Sequence, residues 1–164
     1  MAFLQLILST LGRFCVSAIF LLSGINKILH WRYFEDLLVT TLCDWHVYSS
    51  SHPLVTQFVD YSLSWIPLFL GAAIFFELLG AVMVFLGYRA RLGAFILILF
   101  LVVETILYHP FWALADPRRE VELLHVLKNG AIIGGLMIIM AYGNGFSARR
   151  RRSTDEGDIR SRQA

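Results

Sequence analysis

The run Ile74–Arg91, IFFELLGAVMVFLGYRAR, constrains this chain more than any other stretch. It is apolar, carries one carboxylate, Glu77, in its first half, and closes on two arginines, Arg89 and Arg91. An ionised side chain at the centre of a spanning run costs about 2.5–3.5 kcal/mol even on the mildest scales, so Glu77 needs a partner or a task. The arginines mark the end that stays in the cytoplasm. Glu77, Gly80, Ala81 and Gly87 recur at helical spacing, so the carboxylate shares its face with small residues that allow close packing against neighbouring helices. Whatever Glu77 requires must come from the rest of the chain.

That remainder supplies three more apolar runs of spanning length. With 164 residues, 57% of them hydrophobic and 16% charged, the chain has no room for a soluble catalytic domain. The expected fold is all-α, an integral membrane four-helix bundle occupying 1–146. Its spans are expected at about 5–29, 65–88, 92–108 and 121–142, with an outer loop over 30–64. Residues 147–164 are polar and charged and read as a disordered cytoplasmic tail. The first run is too long for a signal peptide and has neither a basic lead nor a small-x-small cleavage site, so it reads as a retained span. Arg13 can snorkel to the headgroups, and the residues before it either extend the helix or lie along the interface.

The outer segment carries aromatic residues of interface character, Trp31, Tyr33, Trp45, Tyr48 and Tyr61. Leu37, Leu38, Val39 and Leu42 suggest a short helix on the membrane surface. A turn is expected at Ser49–Pro53 and a second amphipathic turn from Leu54. Pro67 suits the first turn of the second span. The short link Arg89-Ala90-Arg91 makes the second and third spans an antiparallel hairpin. His109-Pro110 ends the third, and Gly143-Asn144-Gly145 ends the fourth.

Topology follows from the basic residues. Arg13, Arg89, Arg91 and the run Arg149, Arg150, Arg151, Arg152 fall on one side of an even number of spans, which places both termini in the cytoplasm. Arg32, Arg118 and Arg119 lie on the other side, beside Glu35, Asp36, Asp116 and Glu120. The terminal arginine run is suited to orientation and to anionic lipid, and nucleic acid is not expected as a partner.

Helical rise then sets the polar residues at depth. Lys27 lies ~21 Å from Arg13, Glu77 ~18 Å from Arg89, Glu104 ~20 Å from Arg91 and Lys128 ~24 Å from Asn144. Each span thus brings a charge to nearly one level, in the outer half of a hydrocarbon core ~30 Å thick. Neighbours on the same helical faces extend the layer: Ser23 and Asn26 with Lys27, Tyr108 with Glu104, and His125 and Asn129 with Lys128. These nine residues are the expected ligand-binding or proton-relay set. The same layer is also compatible with a purely structural ion-pair network, and Glu77 is expected to pair with Lys27 or Lys128. The five histidines match no ligand spacing, so no metal site is expected. A haem between His109 and His125 is weighed and set aside. Cys15 and Cys43 lie too far apart along the chain's expected path to pair. There is no phosphate loop, CxxCH or nucleophile elbow.

The blocks RFCVSAIFLLSGINKIL, FFELLGAVMVFLGYRARLGAFILILFLVVET and LLHVLKNGAIIGGLM resemble the DoxX family of small bacterial four-helix membrane proteins. The shared features are Gly24-x-x-Lys27, Glu77-Leu-Leu-Gly80, Gly87-Tyr-x-x-Arg91 and Lys128-Asn129. The outer segment His30–Ser62 is longer than the family's usual first connection. The resemblance implies a multi-pass protein of the bacterial inner membrane. The family takes its name from a subunit of a thiosulfate:quinone oxidoreductase, and other members are associated with redox or oxidative-stress complexes.

The expected function is therefore a membrane subunit of a quinone-linked oxidoreductase or redox-stress complex. Lys27, Lys128 or Asn129 would donate to a quinone headgroup, and Glu77 or Glu104 would relay protons. No intrinsic cofactor is expected, since the chain has no flavin, haem or thiol motif. Electrons would come from a partner protein, the bilayer is the other partner, and a homo-oligomer is compatible with the sequence. The alternatives are a non-enzymatic scaffold or assembly subunit, and a small-molecule or lipid transporter. The transporter reading is disfavoured by the lack of a repeat or a broken helix pair.

Overall fold

In the computed structural model, residues 2–48 and 53–142 are described. They form α1 (Ala2–Leu29), α2 (Trp31–Tyr48), α3 (Pro53–Leu63), α4 (Ile66–Leu86), α5 (Ala90–Tyr108), a 3-10 turn at Phe111–Ala113, and α6 (Arg118–Tyr142). No strand occurs among the described residues. Four segments are long and apolar enough to cross a membrane: Phe3–Leu29, Ile66–Leu86, Ala90–Ala113 and Arg118–Tyr142. The chain is an all-α, multi-pass membrane protein. The turn expected at Ser49–Pro53 falls largely outside the described residues. The stop signal Gly143–Gly145 and the tail with Arg149–Arg152 lie wholly outside them.

α1 runs unbroken through Arg13, so the residues before the arginine continue the helix. The spanning helices pack in the order α1, α4, α5, α6, while α1 and α6 meet only loosely and leave a seam between them. Two apolar clusters hold the bundle. One, toward the Arg13 end, gathers Phe20, Ala81, Val84, Leu97, Leu101 and Leu136 from all four spans. The other, at the far end, sets Leu38 and Leu42 of α2 against Ile66, Leu70 and Ile74 of α4.

The α4–α5 turn comes earlier than the arginine spacing suggests. Gly87 takes φ +69° and caps α4, its amide donating to the Val84 carbonyl. Glycine occupies this left-handed region without a Cβ penalty, so the helix stops there and α5 begins at Ala90. The link is Gly87-Tyr88-Arg89, and Arg91 belongs to α5.

The outer segment differs most from its expectation. The short helix expected around Leu37–Leu42 and the amphipathic turn expected from Leu54 are both longer helices, Trp31–Tyr48 and Pro53–Leu63. In α2, Trp31, Phe34, Leu38, Leu42 and Trp45 form one stripe, which packs over α4 and the end of α5. Trp45 pins this helix to the bundle: its Nε1 donates to the Leu107 carbonyl at 2.9 Å, and its ring meets Trp112 edge-on. Trp45→Phe keeps most of the packing and removes the donor, so it should loosen α2 by about 0.5–1.5 kcal/mol. Amide exchange in α2 should then accelerate while exchange in the middle of α5 does not.

Candidate functional site

Between the two apolar clusters lies an ion triad. Lys27 on α1 is nearly buried, and its Nζ contacts Glu77 Oε2 of α4 at 2.9 Å and Glu104 Oε1 of α5 at 2.7 Å. The third side of the ammonium faces the Phe100 ring, 4.9 Å from its centroid. Phe100 and Glu104 are one helical turn apart, so α5 offers both to the same cation. Glu77 is 0% exposed, and its Oε1 is buried without a hydrogen-bond partner. Ser23, one turn before Lys27, stands close enough to interact with this carboxylate.

The local sequence explains how such a charge is tolerated. Gly24 lies beneath Leu78, whose Cδ2 would be 2.5 Å from an added Cβ, so α1 can approach α4 closely at this level. The short approach lets Lys27 reach two carboxylates at once. A buried charge survives only with a close partner in good geometry; the Lys27 ammonium pairs the buried Glu77, and the second acid on it, Glu104, keeps a side chain 25% exposed.

The expected layer is thus assembled in part. Lys27, Glu77 and Glu104 come together, with Ser23 alongside. Lys128 does not join them: it is exposed on α6 and makes no ion pair or hydrogen bond among the described residues. The four-charge layer is therefore a three-charge one, and Glu77 pairs with Lys27. Asn129 turns to α5, where its Nδ2 donates to Thr105 Oγ1 at 2.9 Å. Asn26 is exposed; its backbone carbonyl accepts from the His30 amide. Two clefts on the surface, of about 430 and 470 Å³, are lined by residues other than the triad.

A second polar group lies at the far end, where the sequence offers Tyr108 and His125 as candidates but no ligand spacing among the histidines. His109 Nδ1 and Glu122 Oε2 are 2.6 Å apart, and His109 stacks flat on His125 with centroids separated by 4.9 Å. The stacked rings leave no space for a haem between them. Glu122 and Tyr108 line a cleft of about 470 Å³ with Asp44, Pro110, Leu114, Arg118 and Val121. Periodicity does not reveal this group, because it forms where α5, the following loop and α6 converge. The signal available was the His109-Pro110 break, which sets His109 at a helix end facing the start of α6. Among the described residues no cluster of three or more His, Cys, Asp or Glu could hold a metal, and both cysteines are free and exposed.

A four-span helical bundle whose first three spans are tied by a buried lysine and two glutamates defines a class of small polytopic membrane proteins. The family model DoxX matches residues 8–110, well over half of the chain. This protein belongs to the DoxX family. The match covers Lys27, Glu77 and Glu104 and stops before His125, Lys128 and Asn129. No curated protein and no solved structure matches the chain.

Proposed function

We propose that the chain is a non-catalytic membrane subunit of a redox-linked complex, with the Lys27 triad acting as the lock that sets its helices in register. One observation carries this reading: every side of the Lys27 ammonium is taken up by Glu77, Glu104 and Phe100, so none is directed at a ligand. Membership of the DoxX family supports a role as one member of a larger membrane assembly. Purification of the full chain from native membranes, followed by native mass spectrometry and quinone extraction, tests it. A stoichiometric protein partner is expected. Stoichiometric quinone that disappears in Glu104→Gln, with no protein partner, would overturn it.

The far-end cleft favours a second reading, in which this subunit also contacts quinone. Tyr108 and Glu122 line a cleft of suitable size, so Tyr108 would face the quinone oxygens and Glu122, backed by His109, would exchange their protons. In that case Glu122→Gln should reduce retained quinone while Glu104→Gln should not.

The same reading sets the chain in the bacterial inner membrane with Arg13, Arg89 and Arg91 toward the cytoplasm. Ala90 is buried, so it is a poor site for a labelling cysteine, whereas Tyr88 is 66% exposed. In a chain whose exposed native cysteines are replaced, Cys15→Ser and Cys43→Ser, Tyr88→Cys should be modified by a membrane-impermeant thiol reagent only after the cytoplasmic face is opened. Modification on intact cells would reverse the topology.

A further inference from the structure

We infer that the α1–α6 seam is the docking site for one transmembrane helix of a different subunit, which brings a carboxylate to Lys128. The inference rests on the reading of this chain as a subunit and assigns the surface by which it assembles. The spans pack α1 on α4, α4 on α5 and α5 on α6, and the ring stays open: α1 and α6 are the two spans least buried within the chain. They run antiparallel, since α1 sets Lys27 on Glu104 of α5, while α6 sets Asn129 on the neighbouring Thr105 and its other end, at Ala141, on Arg91. Where the two helices approach, a Cβ on Gly135 would stand 3.8 Å from Val16 Cγ2. Seven residues make nearly two helical turns, so Ser23 lies on the face of Val16 and Lys128 on the face of Gly135, each ~10 Å farther toward the triad's level. Ser23 and Lys128 are therefore level on the two walls of the seam, with Asn26, exposed, one turn beyond Ser23.

Lys128 is the residue that calls for a partner. A charge within a spanning helix ordinarily faces the bundle interior and is paired there. Lys128 lies within its span, yet it is exposed and makes no ion pair or hydrogen bond among the described residues. The acids at its depth are already engaged: Glu77 and Glu104 hold Lys27, and Glu122, nearer the start of α6, is against His109. Glu120 is ~12 Å farther along α6 toward its start. The acids after Tyr142 follow the opposite end of α6, ~21 Å from Lys128, and the link 49–52 between α2 and α3 is three serines and a histidine. One unpaired cation at this depth is complementary to one carboxylate on a neighbouring helix. Shape agrees, because Gly12, Ala131 and Gly135 are small residues that let a helix approach closely. Farther in, the seam is a cleft of about 430 Å³ between Gly12 and Val16 on one wall and Gly135 and Ile138 on the other, room for the apolar side chains of such a helix. A second copy is the wrong occupant. A twofold interface presents the same face from both sides, so Lys128 would meet Lys128, and the copy's own acids at that depth are held by its Lys27.

The full chain is expressed in its native membranes with photoreactive benzoylphenylalanine in place of Ala131, one turn from Lys128 on the same face. A second chain carries the probe in place of Met137, which is 52% exposed on the opposite face. The Ala131 probe is expected to cross-link one other protein, in a transmembrane segment with an Asp or Glu in its outer half, and the Met137 probe is not. Lys128→Met should lower the cross-linked fraction about tenfold, within the range of a single interhelical polar contact, whereas Lys128→Arg keeps the charge and should retain it. Native mass spectrometry of the same variants without the probe reads the same contrast free of the probe's bulk. An adduct between two copies of this chain, an adduct with lipid alone, or a protein adduct as strong in Lys128→Met as in the unaltered chain would overturn the inference. A partner that co-purifies equally with Lys128→Met removes this surface and leaves the subunit reading standing. The absence of any partner removes both.

Discussion

Lys27→Met is expected to be the most damaging charge substitution in the chain, lowering stability by about 3–5 kcal/mol, the usual result of stranding a buried charge. It strands two carboxylates, one of them, Glu77, wholly buried. Glu77→Gln should be much milder. The amide oxygen can still accept from Lys27, and the remaining Lys27–Glu104 pair is balanced. Lys27→Met combined with Glu77→Gln should recover a large part of the loss, because the acid that remains, Glu104, is 25% exposed at its side chain and can be hydrated. The two changes are therefore expected to be non-additive. Lys128→Met should leave the melting temperature unchanged, since Lys128 is exposed and has no partner to strand among the described residues. Thermal denaturation in detergent measures all four. A large loss for Lys128→Met, or additive losses for Lys27 and Glu77, would remove the triad from its place as the lock of the bundle.

The second large effect is expected where α4 crosses α5. A Cβ on Gly93 would lie 2.7 Å from Met83 Cβ and 2.9 Å from the Gly80 carbonyl oxygen. A Cβ on Gly80 would in turn lie 3.1 Å from the Gly93 carbonyl oxygen and 2.8 Å from Leu97 Cγ. Each glycine faces the other helix's backbone, and backbone cannot swing aside as a side chain can. Gly93→Ala should therefore force the helices apart and cost about 1–3 kcal/mol, with Gly93→Val costing more. Gly134→Ala is the control: its Cβ would meet nothing within 4 Å, so a neutral or slightly stabilising result is expected. Melting temperatures that do not distinguish Gly93→Ala from Gly134→Ala would mean the crossing is looser than these distances describe.

Both predictions follow from features of very different visibility in the sequence. Gly80 and Gly93 stand out as small residues in apolar runs, but so do Gly130 and Gly134, which meet nothing. Only the packing of α5 against α4 and α6 separates the two sets. The extent of helix in the outer segment is hidden for a related reason. Its aromatic and polar composition matches an interface loop, yet Trp31, Phe34, Leu38, Leu42 and Trp45 recur every three to four residues along one helical face. That stripe is buried at Leu38 and Leu42 and half-buried at Trp31, Phe34 and Trp45, because α4 and the end of α5 extend beyond the triad and offer Ile66, Leu70 and Leu107 to cover it. The His109–Glu122 pair was invisible for want of any periodic pattern. It depends on how the loop after α5 returns the chain to α6.

What the sequence by itself determined is the set of spans and the depth of their charges. A hydrocarbon core demands long apolar runs with internally bonded backbones, so composition and length alone identify four helices. Helical rise then gives each charge its level, and Lys27, Glu77 and Glu104 do meet where that rise puts them. Only the tertiary structure decided which charges face one another. Depth is a coordinate along each helix axis, whereas pairing depends on rotation about that axis, and rotation is set by which neighbour covers which face. α1 is held against α4 by the close approach at Gly24, which turns Lys27 inward between two carboxylates. α6 packs mainly on α5 and buries Leu136 alone, so Lys128, at much the same depth, is left pointing outward.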